Sequence, residues 1–360
     1  MADKQKNLQL IQVLRGVASL LVVLYHTTLN FNEIFGRQFL SDFFSFGNTG
    51  VDIFFVLSGF IIAYTSFASI HSPQKIVPFF RRRFIRIYPV YWIIISLFLL
   101  AQVLLPSYYK THYDFNPGNV LSTYLLWPWH TMVNGVSWTL SYELFYYVLF
   151  SFAFLIKNKK LAAGLMIAYI LSVGYMYNFN YDYLNQNKLM SFLFFPMNIE
   201  FFMGVTAALL VLKQNSLPAK TLIVSGSVLF CLSVAMNYSG YQLTDRMFSR
   251  VLSFGVSSFL LVTGVAAYEF HKTVSVHRIF LSLGNASYSL YLLHLPFVVA
   301  GLRILSKFNI QNSAILTVVS LLFVTVICYG SVLFYKYVEK PLITKLNIRK
   351  NIKIAPVVSR

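Results

Sequence analysis

The chain has 360 residues, 57% of them hydrophobic and only 11% charged, and its mean hydropathy is +0.65. Soluble domains are nearer a quarter charged, so this balance excludes an ordinary soluble domain and describes an all-α, polytopic membrane protein. The net charge of +18 would suggest nucleic acid in a soluble protein. Here no nucleic-acid partner is expected, because cytoplasmic loops of membrane proteins collect Lys and Arg, and the surplus is available to an anionic substrate.

The first apolar run, 8–30, is long enough to cross a bilayer and reads as a retained first span rather than a cleaved signal. It contains Arg15 and His26, eleven positions apart. At ~3.6 residues per turn these share one helix face, roughly 16 Å apart along the axis. Such a face is costly in lipid unless it looks into protein or water. Nine further spans follow at about 49–70, 84–106, 137–157, 161–178, 189–212, 219–237, 250–270, 285–305 and 312–338. The apolar piece LSTYLLWPWHTM between the third and fourth is short and broken by Pro128, so 118–134 is expected to be re-entrant or interfacial.

With ten spans, 21 of the 29 Lys and Arg fall on one side, which predicts both termini in the cytoplasm. The expected organisation is a single transmembrane domain over 1–345 and a basic cytoplasmic tail over 346–360. Cys231 and Cys328 lie in apolar runs and are expected to serve packing only. No cluster has metal-ligand spacing, so no metal is predicted. Neither a phosphate-binding glycine loop nor a Gly-x-Ser-x-Gly elbow is present.

The polar residues sort into two layers. Arg15 lies in the inner half of the first span, and RRRFIR (Arg81–Arg86) opens the third. Arg83 and Arg86, three apart, share a face and with Arg15 make a cationic layer suited to phosphates. Arg81 and Arg82 are better explained as topology signals. Near the outer face stand His26, Asp52 and Glu143, a set suited to acid–base work, since a carboxylate beside a histidine orients it as a base. Glu200 and Glu269 are lone acids in apolar spans, and His294 sits mid-membrane in SYSLYLLHLPF; each is as well explained as a satisfied core group as by a functional role.

Four motifs together, in this order and spacing, carry a resemblance: Arg15 with ten residues before His26; GVDIFFVLSGF (Gly50–Phe60); RRRFIRIYPVYW (Arg81–Trp92); and WTLSYELFYY (Trp138–Tyr147). SYSLYLLH, ending at His294, is a looser fifth. Over nearly the whole chain it resembles the acyltransferase-3 family of membrane acyltransferases, in the branch that acetylates bacterial exopolysaccharide and other surface glycans.

The resemblance implies acyl-CoA (acetyl-CoA) as donor substrate, no permanently bound cofactor, and an extracytoplasmic glycan or lipid-linked saccharide as acceptor. It implies a place in the bacterial cytoplasmic membrane, with polysaccharide-synthesis proteins as partners. Arg15 and His26 match the family's essential pair, and Arg83 and Arg86 its paired arginines. Many relatives carry two adjacent acids in the fourth motif, whereas here Leu144 follows Glu143.

The expected chemistry is acyl transfer with His26 as base or transient acyl carrier, oriented by Asp52 or Glu143, with Arg15, Arg83 and Arg86 on the donor. A transporter or flippase for a glycan or lipid-linked sugar is the alternative; intramembrane charges suit it, but paired broken helices in repeated halves are not seen. The charge bias makes one prediction. Single cysteines at 4 and 76 should be labelled from the cytoplasmic side and one at 245 from outside; outside labelling at 76 would overturn the order of all later spans.

Overall fold

A computed structural model describes residues 8–105, 113–128, 132–213 and 216–348 of the chain. Lys110, His112, His130 and nearly all of the expected basic tail lie outside these residues. The described residues contain helices and no strand. Ten helical segments are long and apolar enough to span a membrane, at Gln9–Phe35, Ser45–Ser69, Pro73–Leu104, Gly135–Leu155, Lys160–Phe179, Lys188–Lys213, Ala219–Tyr241, Met247–His271, Ser287–Ser306 and Ser313–Asn347. The chain is thus an all-α protein with ten candidate membrane helices.

In chain order the helices are α1 Gln9–Phe35, α2 Gly50–Ser66, α3 Ile76–Leu104, α4 Pro117–Leu125, α5 Trp138–Leu155, α6 Lys159–Phe179, α7 Tyr181–Gln186, α8 Lys188–Leu193, α9 Asn198–Lys213, α10 Ala219–Met236, α11 Met247–Arg250, α12 Val256–His271, α13 Arg278–Asn285, α14 Ser287–Ser306, α15 Ser313–Phe334 and α16 Lys340–Ile348. The sixth span is broken between α8 and α9 where Pro196 interrupts it. A π-helical turn, Val251–Gly255, joins α11 to α12 within one span.

Two expected boundaries move. The third span starts at Pro73 rather than 84. The run Arg81–Arg86 therefore lies wholly inside α3, where helical spacing separates its side chains. The last span continues through a π-helical turn, Tyr335–Glu339, into α16. The described residues of the 118–134 stretch form no additional span, because α4 has nine residues, about 13 Å at 1.5 Å per residue. Side chains of α3 tie to α4 through hydrogen bonds. The Tyr91 hydroxyl donates to Thr123 O at 2.7 Å and the Trp92 indole to Tyr124 O at 3.0 Å. The Ser141 hydroxyl of α5 donates to Leu126 O at 2.7 Å. These side chains bond carbonyls at the end of α4, where the regular helical pattern stops.

The packing centre is α2 against α9. A Cβ built on Gly59 would lie 1.9 Å from Phe201 O, and one on Gly204 1.9 Å from Val56 O. Neither site tolerates a side chain, and close approach through small residues is how helices associate where lipid is as apolar as the side chains. Tyr146 stacks on Phe201 at 4.3 Å and meets Phe55 edge-on at 5.5 Å, which carries α5 into the same core. The N-terminus of α1 has no cap of its own. Glu269 of α12 supplies one, accepting from the amides of Gln9 and Leu10, so this lone acid satisfies helix-end donors. Cys231 is exposed rather than packed as expected, and Cys328 is half-buried; both are free.

A test of this packing is Gly204→Leu. Overpacking of this kind costs about 1–3 kcal/mol or more, so the purified variant should unfold at a clearly lower temperature than the parent. Gly164→Leu, where a Cβ meets nothing within 4 Å, should unfold like the parent.

Candidate active site

The arginines and Glu143 meet in one cleft. It is walled by five helices: α1 through Arg15, α2 through Phe54 and Ser58, α3 through Arg83 and Arg86, α5 through Thr139 and Glu143, and α14 through Tyr288 and Tyr291. The motifs that stand far apart in the sequence therefore line one space.

Helical spacing divides the basic run of α3. Arg83 and Arg86 line the cleft, Arg82 is exposed, and Arg81 Nη2 donates to Leu346 O of α16 at 3.4 Å. Arg83 Nη2 donates to Thr65 Oγ1 at 2.9 Å, and its guanidinium lies 5.5 Å from the ring centres of both Phe79 and Tyr147. Arg15 Nη1 donates to Gln12 Oε1 at 3.0 Å.

Glu143 belongs to this arginine layer and not to an outer histidine layer. Its Oε1 accepts from the Tyr147 hydroxyl at 2.5 Å. A second carboxylate, Glu339, acts electrostatically on Arg15 and Arg86 from the π-helical turn after α15 and accepts from the Ser289 hydroxyl. Sequence reasoning missed Glu339. Its one signal was an acid at the end of an apolar span, flanked by the lysines that were read as topology. Three arginines thus face two carboxylates, which leaves a positive surplus in a poorly screened place.

Asp52 is not brought to His26. It is buried, and Arg250 grips it. Arg250 Nη2 lies 2.7 Å from Oδ2, Nε donates at 3.0 and 3.1 Å to the two oxygens, and Nη2 also donates to Asn48 O at 2.8 Å. This fork–fork pair joins the start of α2 to α11. Glu200 of α9 lies beside the pair, packed over Gly255 in the π-helical turn.

His26 meets another residue instead. Its Nδ1 lies 3.0 Å from Val22 O and 3.2 Å from Nε2 of His294 on α14. The two rings are 5.1 Å apart, and Tyr291, one turn before His294 and on the cleft wall, lies 5.8 Å from His294. Tyr291 also accepts from Thr139 Oγ1 at 2.9 Å. The cleft thus runs from the arginines past Glu143 and Thr139 to the wall behind which the histidines pair. His294 is fully buried and His26 only partly so. The signal for His294 was its place at the end of SYSLYLLH.

The sequence pattern of a family described as an acyltransferase domain matches residues 9–334. The chain belongs to the acyltransferase-3 family. The exopolysaccharide production protein ExoZ of Rhizobium meliloti (strain 1021) is 31% identical over 265 residues, 70% of this chain and 76% of ExoZ. Acyltransferase MdmB of Streptomyces mycarofaciens is 25% identical over 341 residues, 86% of this chain and 84% of MdmB. No solved structure gives a significant match. Family and fold together make this chain a multi-pass membrane acyltransferase.

The Asp52–Arg250 pair yields a prediction. Removing one partner of a buried pair strands the other charge and costs about 3–5 kcal/mol. Asp52→Asn should therefore lower the unfolding temperature and the membrane abundance. Combining it with Arg250→Gln should recover part of the loss, because neither charge of the pair is then left behind. If the double variant is no more stable than Asp52→Asn alone, the pair is not what holds α2 to α11.

Proposed function

We propose that this acyltransferase moves an acetyl group from cytoplasmic acetyl-CoA to a hydroxyl of an extracytoplasmic glycan, of the exopolysaccharide or O-antigen kind, in the bacterial cytoplasmic membrane. The observation that carries the reading is the cleft that Arg15, Arg83, Arg86 and Glu143 line together, with Glu339 acting on Arg15 and Arg86 from beside it and the wall residue Tyr291 lying against His294. A guanidinium cluster with surplus positive charge suits the phosphates of a CoA thioester. Arg83 and Arg86 stand about 10 and 15 Å along α3 from its first residue, so a donor held there extends its thioester into the bundle. The name of ExoZ, an exopolysaccharide production protein, supports a glycan acceptor.

In this reading His26 takes the proton of the acceptor hydroxyl as that oxygen attacks the thioester carbonyl. The C–O bond forms and the C–S bond breaks. The proton on His26 then passes to the departing sulfur, which leaves CoA as the free thiol. Arg15 and Glu143 line the path between donor and base. A positioned base contributes ~10²–10⁴-fold, and holding both substrates together contributes further. Proteins that make or export the polysaccharide are the proposed partners.

The test separates the two ends of the cleft. The double variant Arg83→Ala, Arg86→Ala should weaken CoA binding and raise the donor KM, since each charged hydrogen bond contributes on the order of 1.5–3 kcal/mol. His26→Ala and His26→Gln should keep CoA affinity but lose turnover by ~10² or more. Both sets are measured at equal membrane abundance, with CoA binding followed directly. Unchanged CoA affinity in the arginine variant would remove the phosphate role. Near-normal transfer by His26→Gln would remove the base role.

A further inference from the structure

We propose that His294 is the positioning partner of His26, taking the place of an orienting carboxylate and leaving His26 Nε2 as the basic nitrogen. The inference rests on the reading of His26 as base. It follows from which atoms can donate. A carbonyl oxygen only accepts, and His294 Nδ1 lies 3.1 Å from Leu290 O, so Nδ1 carries the proton. A neutral imidazole has one N–H, so His294 Nε2 is a bare acceptor. That nitrogen is 3.2 Å from His26 Nδ1, which is itself 3.0 Å from Val22 O. Both neighbours of His26 Nδ1 are therefore acceptors, and Nδ1 holds a proton shared between them. The lone pair of His26 is left on Nε2.

The Leu290 carbonyl thus sets the tautomer of His294, Val22 O and His294 Nε2 together set that of His26, and the pair reads as a chain in which Leu290 O accepts from His294 and His294 accepts from His26. His294 is fully buried, so no solvent competes for its nitrogen. When His26 takes up the acceptor's proton on Nε2, its Nδ1–H becomes a stronger donor, and the waiting His294 Nε2 stabilises the imidazolium. This is the task a carboxylate performs in a serine-type triad. The carboxylates expected for it are engaged elsewhere, Asp52 with Arg250 and Glu143 with Tyr147.

Two substitutions separate positioning from packing. His294→Phe fills the space and has no acceptor. His294→Gln keeps an amide oxygen near the position of Nε2. At equal abundance, His294→Phe should lose about 10- to 100-fold in kcat, the scale seen for orienting partners of metal-bound histidines, with donor KM nearly unchanged. His294→Gln should recover most of that loss. Nitrogen-15 spectra of histidine-labelled protein, with the His26 signals identified by their loss in His26→Gln, should show Nδ1 protonated and Nε2 bare at His26 in the parent, and a mixture of tautomers in His294→Phe. Equal losses in the Phe and Gln variants, or a parent His26 protonated on Nε2, would overturn the assignment. If His26→Gln is itself active, the base reading fails and the catalytic part of this inference fails with it. If His26→Gln is inactive while both His294 variants transfer normally, only the role of His294 is lost.

Discussion

Charge in hydrocarbon is the constraint on which the rest of the structure depends. Arg15 and His26 share one face of α1, and α3 carries Arg83 and Arg86 well inside the helix. A guanidinium facing lipid is costly wherever it cannot snorkel to an interface. The bundle answers by turning those faces toward each other and toward α5 and α14, and Glu143 of α5 and Glu339 of the turn after α15 partly balance them. The cleft follows from this requirement, because side chains that need polar company leave a space between the helices that carry them.

The same economy governs two other buried acids, Asp52 and Glu269. Asp52 is matched by Arg250, which leaves neither group alone in the low-dielectric interior. Glu269 is matched by the free amides at the start of α1. Glycine contacts such as Gly59 on Phe201 and Gly204 on Val56 bring α2 and α9 to backbone distance. They make a rigid core from which one end of α2 holds the Asp52–Arg250 clamp while its middle forms a wall of the cleft.

Much of this was legible in the sequence. Apolar length located the spans, and the ten observed segments begin within a few residues of the expected ones except the third, which starts early. There the basic run hid a continuing helix, because charge was read as an end signal although arginine itself favours helix. The division of that run was also legible, since a three-residue spacing puts Arg83 and Arg86 on one face. The expected layer of His26, Asp52 and Glu143 was not what formed. Depth along a helix can be counted from its ends, but three residues at one depth need not point at one another. Asp52 turned to Arg250 and Glu143 to the arginine layer.

The sequence by itself determined the membrane class, the number of spans, the family and the helix face shared by Arg15 and His26. Each depends on composition, on local periodicity or on motif spacing along one segment. Only the tertiary structure decided the partners: His294 beside His26, Glu339 beside the arginines, Arg250 on Asp52 and Glu269 on the α1 amides. These pairings join residues about 200 or more positions apart, and they depend on the rotation of each helix about its own axis. Periodicity within a helix leaves that rotation free, and close packing against the neighbouring helices sets it.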